Sequence, residues 1–232
     1  MALRPFLKKI VKSLFGRIRN QFALMLEKEC GGCESLLDVG CGSNSPIQVF
    51  SRKIPRVVGV DNFQPSIDKS RAAGIHNEYK RMNVLDMDKE FPPESFDAVI
   101  ALDLIEHLEK KDGLRLMAIM ERLAKRKVII FTPNGFREQR EFDGNLSQVH
   151  VSGWEIDEMR ALGYRVKGVH GWKAVRGECA NIKWKPRKFW VGVSVLSLPW
   201  TTGHPRHAYH ILCIKDKSPS RDEPSARHAP VA

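Results

Sequence analysis

Leu36-Leu37-Asp38-Val39-Gly40-Cys41-Gly42-Ser43-Asn44 is followed about twenty residues later by Val57-Val58-Gly59-Val60-Asp61, the spacing of a nucleotide-binding unit. Apolar residues lead into an acid-x-Gly-x-Gly turn, and a second apolar run ends in another acid. This is the plan of a β-α-β unit: strand, glycine turn, helix, strand and ribose-binding carboxylate. A dinucleotide fingerprint would carry a third glycine where Ser45 stands. It would also avoid Asp38, because the pyrophosphate at that turn is anionic. An acid two residues before Gly40 repels phosphate and attracts a cation. S-adenosylmethionine meets both demands: it is a nucleoside without phosphate, with a cationic sulfonium and an amino group.

At 232 residues the chain has room for one α/β domain and appendages. Its 42% hydrophobic and 28% charged content are ordinary, but the net charge of +11 implies an anionic partner. The five cysteines form no framework, and Cys30-Gly-Gly-Cys33 is a lone CxxC without the second pair a zinc site needs. Reduced thiols and a cytoplasmic location are expected. Lysines and arginines interrupt the apolar residues near the start, so no signal peptide is read. The longest apolar run, Phe189 to Trp200, is 12 residues and too short to span a bilayer.

Residues 3–28 carry Leu3, Phe6, Leu7, Ile10, Val11, Leu14, Ile18, Phe22 and Met25 at spacings of three and four. Segment 1–30 is therefore read as a basic amphipathic helix, with no acid before Glu27. Strands are expected over 35–39, 56–60, 78–82, 97–101, 127–131, 164–170 and 208–214. Helices are expected over 46–52, 64–73, 112–124 and 153–162. The alternation predicts a parallel sheet wound on both faces, closed by an antiparallel hairpin of the last two strands. The domain then covers 31–216. Residues 172–207 between those last strands are too many for a turn, and mark an inserted functional element. Residues 217–232, rich in Pro, Ser and charge, read as a disordered tail.

With these pieces in place, the chain resembles class I S-adenosylmethionine-dependent methyltransferases. Within them it is similar to the broad type 11-like group of ubiquinone-biosynthesis and sugar O-methyltransferases. The resemblance covers about residues 31–170 and rests on four motifs. Leu36–Gly42 is similar to the family's glycine motif, and Asp61 to its ribose acid. Asn83-Val84-Leu85-Asp86 is similar to its adenine-side segment. Ser95-Phe-Asp-Ala-Val-Ile-Ala-Leu-Asp-Leu-Ile-Glu-His-Leu108 is similar to its fourth-strand signature. The resemblance implies a Rossmann-like, doubly wound seven-stranded sheet, mostly parallel with an antiparallel last strand. It also implies a bound S-adenosyl-L-methionine that leaves as S-adenosyl-L-homocysteine.

Expected site residues follow. Gly40, Cys41 and Gly42 let the backbone approach the methionine moiety. Asp38 holds its amino group, directly or through water, and Asp61 accepts from the ribose hydroxyls. Asn62 or Phe63 flanks the adenine, with Leu85 beside it. Asp86, or in competition Asp88, accepts from the adenine amino group. Leu102 and Asp103 face the methionine end.

Methyl transfer to a hydroxyl needs the nucleophile aligned, water excluded and a proton removed. His150, in the loop region after the fifth strand, is the first candidate base, and His107 the second. The competing reading gives His150 a loop-holding role only. Asp103, Glu106 and His107 recur at i, i+3 and i+4. Some ubiquinone-pathway O-methyltransferases bear a similar cluster associated with a divalent cation. The reading preferred here is that Glu106 and His107 orient the next helix and no metal is bound.

The expected acceptor is a small molecule: a sugar, a lipid-linked glycan or a quinone-like compound. The basic charge also admits an RNA methyltransferase, acting at a ribose or ring position. Ala101-Leu-Asp-Leu104 lacks the Asn/Asp-Pro-Pro-aromatic motif of enzymes that methylate exocyclic base nitrogens, and no RNA-binding module is recognisable, so nucleic acid ranks lower. The basic N-terminal segment and Phe189–Trp200, placed after Lys183, Lys185, Arg187 and Lys188, together suggest peripheral association with an anionic membrane surface. In the alternative, both stretches pack on the domain itself.

Overall fold

The computed structural model describes residues 21–139, 149–177 and 180–217. Most of the basic N-terminal segment and of the tail lies outside these residues. Seven strands form one sheet: β1 Ser35–Val39, β2 Arg56–Asp61, β3 Glu78–Arg81, β4 Phe96–Leu102, β5 Ala124–Pro133, β6 Arg165–Trp172 and β7 Ala208–Asp216. Their order is β3-β2-β1-β4-β5-β7-β6, a Rossmann-like sheet. The first five strands are parallel, and β7 runs antiparallel to both β5 and β6. β1, β2 and β4 are near-continuous apolar runs because helices or turns cover both faces of a parallel sheet. One core holds Leu37, Val99, Met117 and Trp154, and a second holds Leu26, Leu36, Ile100 and Phe131. The expected closing hairpin is present.

Seven helices accompany the sheet among the described residues: α1 Gln21–Glu29, α2 Gln64–Ala72, α3 Met87–Glu90, α4 Lys110–Leu123, α5 Ile156–Ala161, α6 Arg187–Leu196 and α7 Leu198–Gly203. The helix expected over 46–52 is instead two short 3₁₀ turns, Pro46–Val49 and Ser51–Lys53. Phe50, at φ −133°, interrupts the helical path and drops its ring into the second core. The helix expected from 153 starts at Ile156, after a capping box between Glu155 and Glu158. The inserted segment holds α6 and α7, which lie against β6. Gly168 permits that approach: a Cβ there would fall 2.1 Å from the Thr201 carbonyl oxygen.

α1 is bound to the domain by charge as well as by Phe22 and Leu26. Glu29 is buried and meets Lys127, Arg165 and Lys167 at 3.2, 3.4 and 2.7 Å. Burial alone would raise its carboxyl, but the hydrogen bonds from Lys167, Arg165 and Lys127 outweigh it and hold it at about 2. Its stabilisation is therefore complete above the unfolded value of 4.5 and lost as pH falls from there towards about 2. Glu29→Gln should cost about 2–3 kcal/mol in denaturant unfolding at pH 7. The gap from the parent protein should shrink as the titration is repeated below pH 4.5, the ordinary value for this group. A pH-independent gap would refute the ion cluster as its source.

Candidate active site

The carboxyl ends of β1, β2 and β4 open onto a cavity of about 610 Å³. Asp38, Gly40, Cys41, Gly42, Asp61, Asn62, Phe63, Leu85, Leu102 and Asp103 all line it. Gly40 and Gly42 turn the chain at φ +66° and +56°, in the left-handed region. A Cβ on Gly42 would find no heavy atom nearer than 4.0 Å, so that side of the turn is open for a ligand. Asp61 closes the turn: Gly42 N–H donates to its Oδ2 and Phe63 N–H to its Oδ1, each at 2.9 Å. Each oxygen retains a second lone pair.

Asp38 is almost fully buried and bonds His76 Nε2 at 2.9 Å. The chain continues from His76 Nδ1 to Ser70 Oγ at 3.2 Å and on to Tyr79 OH. His76 escaped the sequence reading because it belongs to no motif; only the fold brings the start of β3 behind the glycine turn. Asp86 lies off the cavity wall, paired with Lys89 at 2.6 Å, and that hydrogen bond lowers its carboxyl. Asp88 faces Arg122. On that side the wall is made by Asn83, Val84 and Leu85, where Asn83 Oδ1 caps the turn by accepting from Leu85 N–H.

A second cavity, of about 360 Å³, adjoins the first and shares Asp103 and His107 with it. His150, Glu106, Arg137, His170, Ala180, Tyr209 and His210 contribute to its wall. Asp103, His170 and Ala180 adopt positive φ without being glycine, and only Glu94 does so elsewhere among the described residues. Backbone strain is thus concentrated around this cavity. At His170 the β6–β7 register slips between Val169 and Trp172, and a slip of this kind re-aims a side chain. No sequence signal marked His170, His210 or Arg137.

His107 and His150 lie edge to face with centroids 4.8 Å apart. His107 Nδ1 donates to the Val149 carbonyl at 3.1 Å and His150 Nδ1 to that of Arg137 at 2.7 Å. A carbonyl only accepts, so these bonds fix the proton on Nδ1 and leave each neutral ring an Nε2 lone pair. Burial lowers the pKa of both rings. Glu106 is buried, with Oε2 accepting from Thr132 Oγ1 at 2.9 Å and Oε1 without a partner among the described residues. Burial, and then the Asp103 charge, push its carboxyl well up. Over half of the Asp103 side chain is exposed to the cavities, yet enclosure there raises its carboxyl too. Ligand atoms of Glu106, His107 and His150 lie within 4.8 Å of one another, a set of one oxygen and two imidazole nitrogens that suits a divalent cation. The CxxC thiols, by contrast, are buried in the second core, and burial pushes Cys30 up to about 12.

A seven-stranded sheet with a glycine turn, a second-strand acid and a cavity at its carboxyl edge is the arrangement of a Rossmann-like domain. Residues 37–132 match the family model described as a methyltransferase domain. A segment of 77 residues is 35% identical to a ubiquinone biosynthesis O-methyltransferase of Bradyrhizobium sp. (strain ORS 278), covering 32% of this chain and 29% of that protein. Another of 111 residues is 28% identical to the protein of the same name from Hahella chejuensis, covering 46% and 45%. The matched part is thus under half the length of these curated relatives. A SAM-dependent methyltransferase from Archaeoglobus fulgidus shares the fold, with a TM-score of 0.57, 16% identity, and 87% and 94% of the two chains covered. Residues 37–132 are thus similar to a methyltransferase domain, on a fold that the chain shares with the Archaeoglobus enzyme.

Proposed function

We propose that the protein transfers a methyl group from S-adenosylmethionine to a hydroxyl of a small acceptor. The observation that carries this reading is the junction of the two cavities at Asp103 and His107. The larger cavity suits the cofactor and the smaller the acceptor, so the transferred group would pass between them. The cofactor supplies a methyl carbon already activated by its sulfonium. Asp61 offers its remaining lone pairs to the ribose, and Phe63, 40% exposed, offers a ring face to the adenine. Asp38, held by His76, supplies negative charge for the amino group. His150 takes the acceptor proton on Nε2, with His107 beside it. Residues 31–216 then form the catalytic unit, and the 172–207 insertion its acceptor side.

The Glu106–His107–His150 cluster supports a second reading, in which a divalent cation held by these residues acidifies the acceptor hydroxyl. Surface chemistry supports a membrane-borne acceptor. On the insertion, Phe189, Val191, Leu196 and Trp200 are exposed beside the exposed Lys183, Lys185, Arg187 and Lys188. No helix among the described residues is long and apolar enough to cross a membrane. Cations for headgroups with aromatics for the acyl boundary make an interfacial face, and the same insertion lends Ala180 to the acceptor cavity.

Asp61→Ala should weaken S-adenosylhomocysteine binding at least about tenfold, by removing hydrogen bonds to a charged group. Unchanged affinity by calorimetry would overturn the cofactor assignment. His150→Ala should lower turnover about 10²–10⁴-fold with that affinity intact, and the parent enzyme should lose activity only below the ordinary histidine pKa of about 6.5. A fully active variant would leave His150 a structural role, whereas loss on chelation reversed by Mg²⁺ would select the cation reading. Vesicles containing anionic lipid should co-sediment the protein, and Phe189→Ser with Trp200→Ser should reduce this. Equal recovery with neutral and anionic vesicles would contradict the interfacial face.

A further inference from the structure

The wall of the second cavity has two unlike parts. Towards the cofactor cavity lie Asp103, Glu106, His107 and His150. Arg137, His170, Ala180, Tyr209 and His210 line the rest of the wall, with His210 Nε2 3.9 Å from Asp103 Oδ1, and the methyl transfer itself does not use their side chains. His170 and His210 share a short Nδ1–Nδ1 contact of 2.8 Å, so one ring donates while the other accepts. Burial, with the nearby Arg176 charge, holds His170 down at about 4 and pushes His210 well down. Both rings are neutral near pH 7, and the positive charge in this part belongs to arginine.

Two arginines stand here without a carboxylate partner among the described residues. The Arg137 guanidinium lies over the Tyr209 ring at 5.1 Å, and its Nε is buried with no hydrogen-bond partner among the described residues. Arg176 sits behind Ala180, donating to its carbonyl at 2.7 Å and to Ser194 Oγ at 2.9 Å, and its Nε is likewise buried without a partner among the described residues. Tyr209 OH locks the same corner by donating to the Gly177 carbonyl and accepting from Ala180 N–H. Strained backbone at His170 and Ala180 completes a rigid frame. The acids on the cavity wall do not neutralise it. Glu106 gives one oxygen to Thr132, Asp103 Oδ1 lies 3.9 Å from His210 Nε2, Glu138 is exposed, and none of the three pairs with Arg137 or Arg176 among the described residues.

Enclosed guanidinium groups without counter-ions are unfavourable unless a ligand supplies the anion. We propose that the part of this cavity lined by Arg137 is an anion subsite, in which Arg137, backed by Arg176, binds a carboxylate or phosphate carried by the acceptor. Arg137 then orients the acceptor so that its hydroxyl faces His150 and the cofactor cavity. This deepens the methyltransferase reading and rests on it for the acceptor's role.

The probes are phenol, 4-hydroxybenzoate and phenyl phosphate, titrated calorimetrically into the full-length protein with and without saturating S-adenosylhomocysteine. At least one anion should bind about tenfold or more tighter than phenol, the scale of a charge-assisted pair, and which one does so separates carboxylate from phosphate. Arg137→Met should abolish the preference and Arg137→Lys should keep part of it, both with S-adenosylhomocysteine affinity unchanged. Anions binding no tighter than phenol, or not at all, would overturn the subsite. So would a preference that survives in Arg137→Met. Anion binding through Arg137 in a protein that fails to bind S-adenosylhomocysteine would keep the subsite and remove the methyltransferase reading.

Discussion

One hydrogen bond, from the Gly42 amide to Asp61 Oδ2, ties the turn after β1 to the end of β2 on the wall of the larger cavity. It depends on φ values of +66° and +56° at Gly40 and Gly42, which a side chain would strain. It depends also on parallel pairing of β1 with β2, which brings Asp38 opposite Gly59 and Val39 opposite Val60, so that Asp61 follows beside the turn. Behind the turn, the buried Asp38–His76 pair fixes the charge that distinguishes this site from a phosphate cradle. Everything proposed for the cofactor follows from those few atoms.

The elements that build this corner were legible because their signals are local and periodic. β1, the glycine turn and β2 appear as two apolar runs with an acid at each key position. Strand alternation and the final antiparallel pair were readable from the same patterns. The motif around Asp86 brings its neighbours Asn83, Val84 and Leu85 to the cavity wall, while the Asp86 carboxylate itself pairs with Lys89 at the start of α3. His76, His170 and His210 were not legible. Their roles come from contacts far apart in sequence, such as His76 to Asp38, or from a register slip that no composition reveals. The insertion was visible as a length anomaly, but its two helices were not, since an apolar run broken by Gly, Ser and Pro has no clear period.

Charge divides the acceptor side much as it divides the cofactor side. Two imidazoles whose Nδ1 protons are held by carbonyls, and a carboxyl raised by burial, meet at the junction of the cavities. That is a setting for handling a proton near neutral pH, with or without a cation. Arg137 on the same cavity wall, and Arg176 behind Ala180, have no carboxylate partner among the described residues. The basic excess of the chain is therefore not only a surface property; part of it is enclosed where an acceptor would be read.

A crystal structure with S-adenosylhomocysteine tests the central claim most directly. The account predicts density in the 610 Å³ cavity, with the ribose on Asp61, the adenine beside Phe63 and the sulfur pointing towards Asp103 and His107. Density elsewhere, or an empty cavity at saturating ligand, would contradict it.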